Sequence, residues 1–401
     1  MIIIDRNLDD DSIDKESDIY KFGKARISEL ENIKSIFQTF MEYSKDDDFA
    51  RIIEIDKNYN YFEIRVVPLK LAALFEENIL TQIESGVFLS ATLSVENSMD
   101  YFKNTLGINR VENIEKIIPP LYDYKNRVSI IGLNDLCNYN NKDFPKEMSN
   151  VINNVSKITQ GHLLSLFNSR DRLEKTYDYL LDDLNNHNIE VYMNKKGIKN
   201  LNDINKRCVV LGSKGCFEGV DIPGDGLICV TLDKIPNLNP KDPLYSTIMK
   251  KYNLPYHVVN YPQMAIKVKQ AMGRILRSQY DYGCFVIFNT GTNMHTIKKL
   301  ERDLHGCSIN IMGKSKITEC ISDHLYKSRT VVMNKTLMEI IDILKYDDNM
   351  NIKNVEKFIN KQMKNRNINS NVVDFKDEML KINYYNQNYS IHKDKLKYKP
   401  K

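Results

Sequence analysis

The chain has 401 residues, 42% of them hydrophobic, and a formal net charge of +4. That length and apolar content exclude a disordered or fibrous class and allow two or three domains with at least one large core. No run approaches the roughly 18 apolar residues of a membrane span, and the opening Met1-Ile2-Ile3-Ile4 is too short for a secretory leader. The seven cysteines are scattered, without C-x-x-C or metal-ligand spacing, and Cys208, Cys229 and Cys284 fall in or beside apolar runs. The expectation is a soluble intracellular protein, cytoplasmic or nuclear, in a reducing compartment and with no metal site.

Residues 5 to 18 are acidic and aperiodic and read as a flexible lead. From Ala25 to Tyr43 the apolar residues Ile27, Leu30, Ile33, Ile36, Phe37 and Phe40 follow a helical period and call for a partner surface. Two short alternating stretches follow, Arg51–Ile55 and Tyr61–Val67, and then a helix led by Pro68 that runs to about Ile83. Beyond Gly86 apolar runs of four to six residues alternate with amphipathic helices, the pattern of a parallel sheet covered on both faces. Strands are expected at Val87–Leu89, Val128–Ile131, His162–Phe167, Ile189–Tyr192, Cys208–Leu211, Leu227–Leu232 and Cys284–Phe288. The intervening helices are placed over Met148–Ile158, Arg170–Leu184 and Pro243–Tyr252. Two further helical stretches, Met333–Leu344 and Val355–Met363, read as an appendage. From Asn351 onward twelve Lys or Arg stand against five Asp or Glu, so the first 350 residues are near −3. Such a tail either holds phosphate groups or is a solvated terminus.

Three stretches carry chemistry. Gly212–Gly226, GSKGCFEGVDIPGDG, holds five of the sixteen glycines between two strands. Glycine at that density serves left-handed turns or close backbone approach by a ligand, commonly phosphate; an ordinary turn with solvated acids is the alternative. In Tyr261–Tyr280 the residues Val268, Ala271, Met272 and Ile275 form one apolar stripe, and Gln270, Gly273, Arg274 and Arg277 fall on the other face. A single helix there sets the two guanidinium groups one turn apart, able to converge on one anion, or simply facing solvent. Gly86–Leu93, GVFLSATL, is a short strand ending in Ser90 and Thr92, whose hydroxyls suit a relay or a helix cap.

Taken in order with His162–Asp171 (HLLSLFNSRD) and Asp233-Lys234-Ile235-Pro236 followed by Asp242-Pro243, these stretches resemble the DinG branch of the DinG/XPD helicases of superfamily 2. The resemblance runs from about Pro68 to Asn289: SATL is similar to motif III, LFNS to motif IV, GSKGCFEGVDIPG to motif V and QAMGRILRS to motif VI. It implies an α/β fold, the RecA-like doubly wound parallel sheet of helicase lobe 2. Gln270, Arg274 and Arg277 are then catalytic, facing the ATP phosphates, with Gly273 allowing close packing. Gly215, Glu218, Gly219 and Asp221 belong to the loop linking nucleotide state to DNA grip, Ser90 and Thr92 to its coupling, and Ser169, Arg170 and Lys234 to DNA backbone contact. Asn237, where the family has an aromatic, and Asn289-Thr290, where it has Asp-Arg, depart from the pattern.

A P-loop, G-x-x-x-x-G-K-[ST], and a D-E-x-H motif are not found in these 401 residues. Gly313-Lys314-Ser315 imitates the end of a P-loop but has Ser308 where glycine is required, and Asp377-Glu378 is followed by Met379 and Leu380. The expected organisation is an arch-region remnant and acidic lead over 1–60, the last helix and strand of the first lobe over 61–94, the RecA-like lobe over 95–325, and a helical, basic extension over 326–401. The implied function is the C-terminal motor lobe of an ATP-dependent 5′–3′ DNA helicase serving repair or replication. It would act on single-stranded or forked DNA, with ATP and Mg2+ held mainly by a separate P-loop/DExH lobe and no iron-sulfur cluster in this chain. By itself the chain is expected to be inactive. The alternative is a catalytically inactive, helicase-derived nucleic-acid-binding or scaffold protein.

Overall fold

The computed structural model describes residues 17–42, 48–55, 62–217, 219–291, 293–344, 352–376, 379–384 and 387–392. The acidic lead lies, up to residue 16, outside these residues. No helix among them is long and apolar enough to cross a membrane. The chain divides into two compact units, one of residues 1–89, 100–114 and 238–261, the other of 90–99, 115–237 and 262–401. This division cuts across the boundaries drawn from the sequence.

In the first unit the helix Asp18–Met41 starts at Ser17, whose hydroxyl accepts the Tyr20 N–H. Strands β1 (Phe49–Ile55) and β2 (Phe62–Pro68) pair antiparallel. Asp48 accepts the Tyr252 hydroxyl at 2.8 Å and lies 3.0 Å from Lys251 and 3.2 Å from Lys70. Those three partners pull its carboxyl down to about 2, the tyrosine first. Pro68 ends a strand instead of leading a helix, because the Leu69 N–H continues the edge by donating to the Asp48 carbonyl at 2.7 Å. The helix starts at Leu71 and ends at Asn78.

The second unit holds the sheet that the apolar runs predict. Its strands are β3 (Val128–Leu133), β4 (Leu163–Leu166), β5 (Glu190–Met193), β6 (Cys208–Gly212), β7 (Cys229–Leu232), β8 (Gly283–Ile287) and β9 (Ile309–Met312). All neighbours are parallel, in the order β5-β6-β4-β7-β8-β3-β9. Every residue of β4, β6, β7 and β8 is buried, as a sheet covered on both faces requires. Helix Phe144–Ile158 puts Phe144, Met148, Val151, Ile152 and Val155 into the core at helical spacing. This is the α/β, RecA-like doubly wound fold.

Two departures are physical. Val87–Leu89 is not a strand: Val87 and Leu89 are 83% and 89% exposed, and a strand exists only where another strand completes its ladder. The edge strand β9 escapes the apolar-run test because its two central residues are exposed.

The region past Thr330 is no appendage. Helix Ile317–Leu344 contributes Ile317, Ile321, Leu325, Val332, Met333, Leu337 and Ile340 to the main core, and helix Ile352–Asn365 adds Val355, Ile359 and Met363. Three antiparallel strands follow, β10 (Ser370–Lys376), β11 (Met379–Tyr384) and β12 (Gln387–His392), with Ile382 and Tyr384 of β11 buried in the same core.

His162, at the head of β4, is 1% exposed, and burial pushes its imidazole down to about 4. A depressed histidine lends stability that is complete above the ordinary value of 6.5 and is lost as pH falls toward 4. The unfolding free energy should therefore drop by about 2 kcal/mol between pH 7.5 and pH 5, and His162→Phe should flatten that slope. Urea midpoints at the two pH values measure it; equal slopes in both proteins would remove His162 from the account.

Candidate functional site

The glycine-dense loop leaves β6 and returns at β7. Val220 and Ile222 anchor it, each 1% exposed. Gly219 has φ +72° with open space beside its Cα, and a side chain at Gly215 would touch only Lys195, so both backbones are open to a ligand. The Asp221 carboxylate is exposed, and Glu218 lies outside the described residues.

The apolar stripe Val268, Ala271, Met272 and Ile275 is wholly buried, but the helix Tyr256–Met272 stops short of the arginines. Arg274 and Arg277 sit on a turn and not on one helical face. The Arg274 and Ile275 N–H groups close tight turns on the Ala271 and Met272 carbonyls, at 3.3 and 3.0 Å. The buried Asp281 carboxylate then collects the Arg277 N–H at 2.5 Å, the Ser278 N–H at 2.6 Å and the Ser278 hydroxyl at 2.6 Å. It also accepts the Gly224 N–H at 2.7 Å, so one carboxylate ties the arginine turn to the glycine loop. Burial raises its pKa against these donors.

Both guanidinium groups converge on the loop all the same. Arg274 donates through Nη1 to the Val220 carbonyl at 2.7 Å and through Nη2 to the Phe217 carbonyl. Arg277 reaches the Val220 carbonyl at 3.4 Å and pairs through Nε with Asp221 at 3.4 Å. Gln270 is half-buried on the last turn of the helix. At Gly273 an added Cβ would meet only the Lys269 and Gln270 carbonyls, so no other element packs closely there.

Ser90 and Thr92 lie on an irregular segment with their hydroxyls 3.2 Å apart. The following turn, with Glu96 and Asn97 at positive φ, bears on the helix Tyr256–Met272 through a buried lysine. Lys269 Nζ donates to the Ser94 carbonyl at 2.8 Å and lies 3.9 Å from Asp303, which accepts the Glu96 N–H at 2.7 Å. Lys269 and Asp303 escape sequence reasoning because nothing in their spacing pairs them.

A second polar cluster sits at the C-terminal ends of β4 and β7. Asp233, fully buried, accepts Arg172 Nε at 3.0 Å and Nη2 at 2.7 Å, and accepts the Asn168 backbone and side-chain N–H groups. Ser169 caps the helix Arg170–Asn185 by accepting the Arg172 N–H at 3.4 Å, and Arg170 reaches outward, paired with Glu174 at 2.8 Å. Lys234 Nζ lies 4.0 Å over the Tyr139 ring. Of this group only Ser169, Arg170 and Lys234 stand out in the sequence; Arg172 and Asp233 organise them.

Gly313-Lys314-Ser315 follows β9, and Asp135 accepts the Lys314 N–H at 2.8 and 3.0 Å, so a carboxylate stands at that turn. Asp377-Glu378 lies outside the described residues. Among the described residues no group of three or more His, Cys, Asp or Glu is placed to hold a metal ion.

Residues 152–303 match the family described as "Helicase C-terminal domain". Over 265 residues the chain is 29% identical to the 3′-5′ exonuclease DinG of Bacillus subtilis, covering 62% of this chain and 28% of that protein. It is 26% identical to the ATP-dependent DNA helicase YoaA of Escherichia coli, over 57% of this chain and 36% of that one. Among solved structures, S. tokodaii Xpd4 aligns with a TM-score of 0.38 at 13% identity, over 77% of this chain and 69% of that one. The chain thus spans between about a quarter and about a third of the length of these two curated relatives. The seven-stranded parallel sheet with its flanking helices is RecA-like. More particularly, residues 152–303 match a helicase C-terminal domain, and the wider sequence is similar to the DinG and YoaA proteins.

Removing Arg172 leaves a fully buried carboxylate short of its ion pair, so Arg172→Leu should cost about 3 kcal/mol of stability. Arg170→Ala, which breaks an exposed pair, should stay within about 0.5 kcal/mol. Chemical denaturation of both variants tests the contrast, and equal losses would contradict it.

Proposed function

We propose that this chain is the C-terminal motor lobe of an ATP-dependent 5′–3′ DNA helicase, completed by a P-loop/DExH lobe from outside these 401 residues. The observation that carries the reading is that Arg274 and Arg277 both bond the Val220 carbonyl, so two guanidinium groups share one anchor on the open glycine loop. That arrangement fits the outer side of a triphosphate: planar, permanently charged donors beside the open backbone at Gly215 and Gly219. ATP with Mg2+ would supply the phosphoryl group and its activation, held mainly by the other lobe, and the described residues offer no carboxylate cluster of their own.

In this reading Arg274 and Arg277 stabilise charge that develops on the transferred phosphoryl group, with Gln270 beside them on the last helical turn. The guanidinium groups are bonded to loop carbonyls, so a shift of the arginines moves the loop, which in turn grips or releases single-stranded DNA. Gly215, Glu218, Gly219 and Asp221 form that grip, and Ser90 and Thr92 feed the nucleotide state through Ser94 and Lys269 to the helix that leads into the arginine turn. Ser169, Arg170 and Lys234 offer a hydroxyl and two cations to the DNA backbone.

The test mixes this chain with a P-loop/DExH lobe of a DinG-type helicase and follows DNA-stimulated ATP hydrolysis. Arg274→Ala should lower kcat by about a hundredfold or more with little change in KM, the mark of an interaction made in the transition state. Turnover indifferent to Arg274→Ala would overturn the reading. DNA binding without turnover under any partner would favour the alternative of an inactive scaffold.

A further inference from the structure

The mechanism leaves one buried polar network unused, on the far end of the glycine loop. Asp225, 1% exposed, accepts the Tyr282 hydroxyl at 2.8 Å and the Tyr384 hydroxyl at 2.9 Å through one carboxylate oxygen, and the Asn369 N–H at 2.7 Å through the other. The two tyrosine hydroxyls are 2.8 Å apart, and Arg329 Nε donates to that of Tyr282 at 3.2 Å. Tyr384 and Asn369 belong to the C-terminal extension, yet they end on a residue of the glycine-dense loop.

The backbone repeats the grip. The Asp225 N–H donates to the Asn367 carbonyl at 2.8 Å, and the Asn367 side chain reaches the Pro223 carbonyl at 3.4 Å. Gly224, at φ +69°, lies so close beneath the extension that a Cβ there would stand 2.5 Å from the Asn367 carbonyl oxygen. One residue therefore separates the two buried carboxylates. Gly224 gives its N–H to Asp281, which holds the Arg277 and Ser278 amides, while Asp225 is held by Asn367, Asn369 and Tyr384.

We propose that Asn367, Asn369 and Tyr384 form a positioning clamp for the arginine turn, acting on Arg277 through Asp225, Gly224 and Asp281. Tyr384 and Asn369 are positioning residues: they touch neither arginine, and they fix the backbone from which Arg277 projects. The two carboxylates at its centre, Asp225 and Asp281, are buried, where an unmatched acceptor costs more than a bond gains, so their contacts have one well-defined arrangement. The clamp explains why the extension shares the main core. Its consequence for turnover rests on the motor reading; its existence does not.

Hydrogen–deuterium exchange on the full chain, without nucleotide, tests it. Tyr384→Phe keeps the ring and removes the hydroxyl. The amides of Gly224, Arg277 and Ser278 should then exchange about tenfold faster or more, while β3 and β8 keep their protection. Coupling is reciprocal, so Asp281→Asn, which leaves the extension untouched, should speed exchange at Asp225 and Asn369. Faster exchange confined to 366–384, or spread evenly over the sheet, or no response of Asp225 and Asn369 to Asp281→Asn, would overturn the clamp. No ATP enters these measurements, so failure of the hydrolysis assay with the exchange pattern intact would count against the motor reading alone.

Discussion

Everything at the functional edge depends on one buried carboxylate. Asp281 accepts hydrogen bonds from the backbone of Arg277 and Ser278 on one side and of Gly224 on the other, joining two segments more than fifty residues apart. A helix that simply continued past Met272 would satisfy its own amides and carry its arginines around its axis at one hundred degrees per residue. Asp281 instead captures those amides and turns the chain back over the glycine loop. The guanidinium groups then find their acceptors in loop carbonyls, and the loop finds its shape in the arginines.

This mutual dependence gives the edge its mechanical character. A loop whose carbonyls hold an arginine cannot move independently of it, and a turn whose amides sit on the same carboxylate as the loop's Gly224 cannot reorient without disturbing that loop. The buried Lys269 extends the same logic to the Ser90–Thr92 segment, because its ammonium group holds the Ser94 carbonyl from the helix that leads into the arginine turn. The Ser90–Thr92 segment, the arginines and the loop are thus linked by short polar contacts anchored in a rigid sheet.

The fold was legible wherever burial was uniform. Runs such as Cys208–Leu211 and Cys284–Phe288 are apolar throughout because both faces of the sheet are covered, and periodicity alone locates them. It failed where a partner decides the structure: Val87–Leu89 has strand composition but no ladder, and β9 is an edge whose exposed residues break the apolar run. Glycine density and paired arginines do pick out residues that the structure brings together at one loop. The geometry there was not legible, since the helix was carried too far and the turn that replaces it is made by Asp281. The roles of Asp225, Asp233 and Lys269 stayed hidden for one reason: a buried charge announces itself only through partners distant in sequence, such as Arg172 for Asp233 and Tyr384 for Asp225.

The central claim is that the loop carbonyls hold the Arg274 guanidinium in place before any ligand arrives. Side-chain nitrogen NMR of the free full chain tests it most directly, because bonding of both terminal nitrogens blocks rotation about the Cζ–Nη bonds. The account predicts separate, slowly exchanging Nη proton signals for Arg274, assigned by their disappearance in Arg274→Lys, against averaged signals for the exposed Arg170. An Arg274 guanidinium that rotates as freely as Arg170 would contradict it.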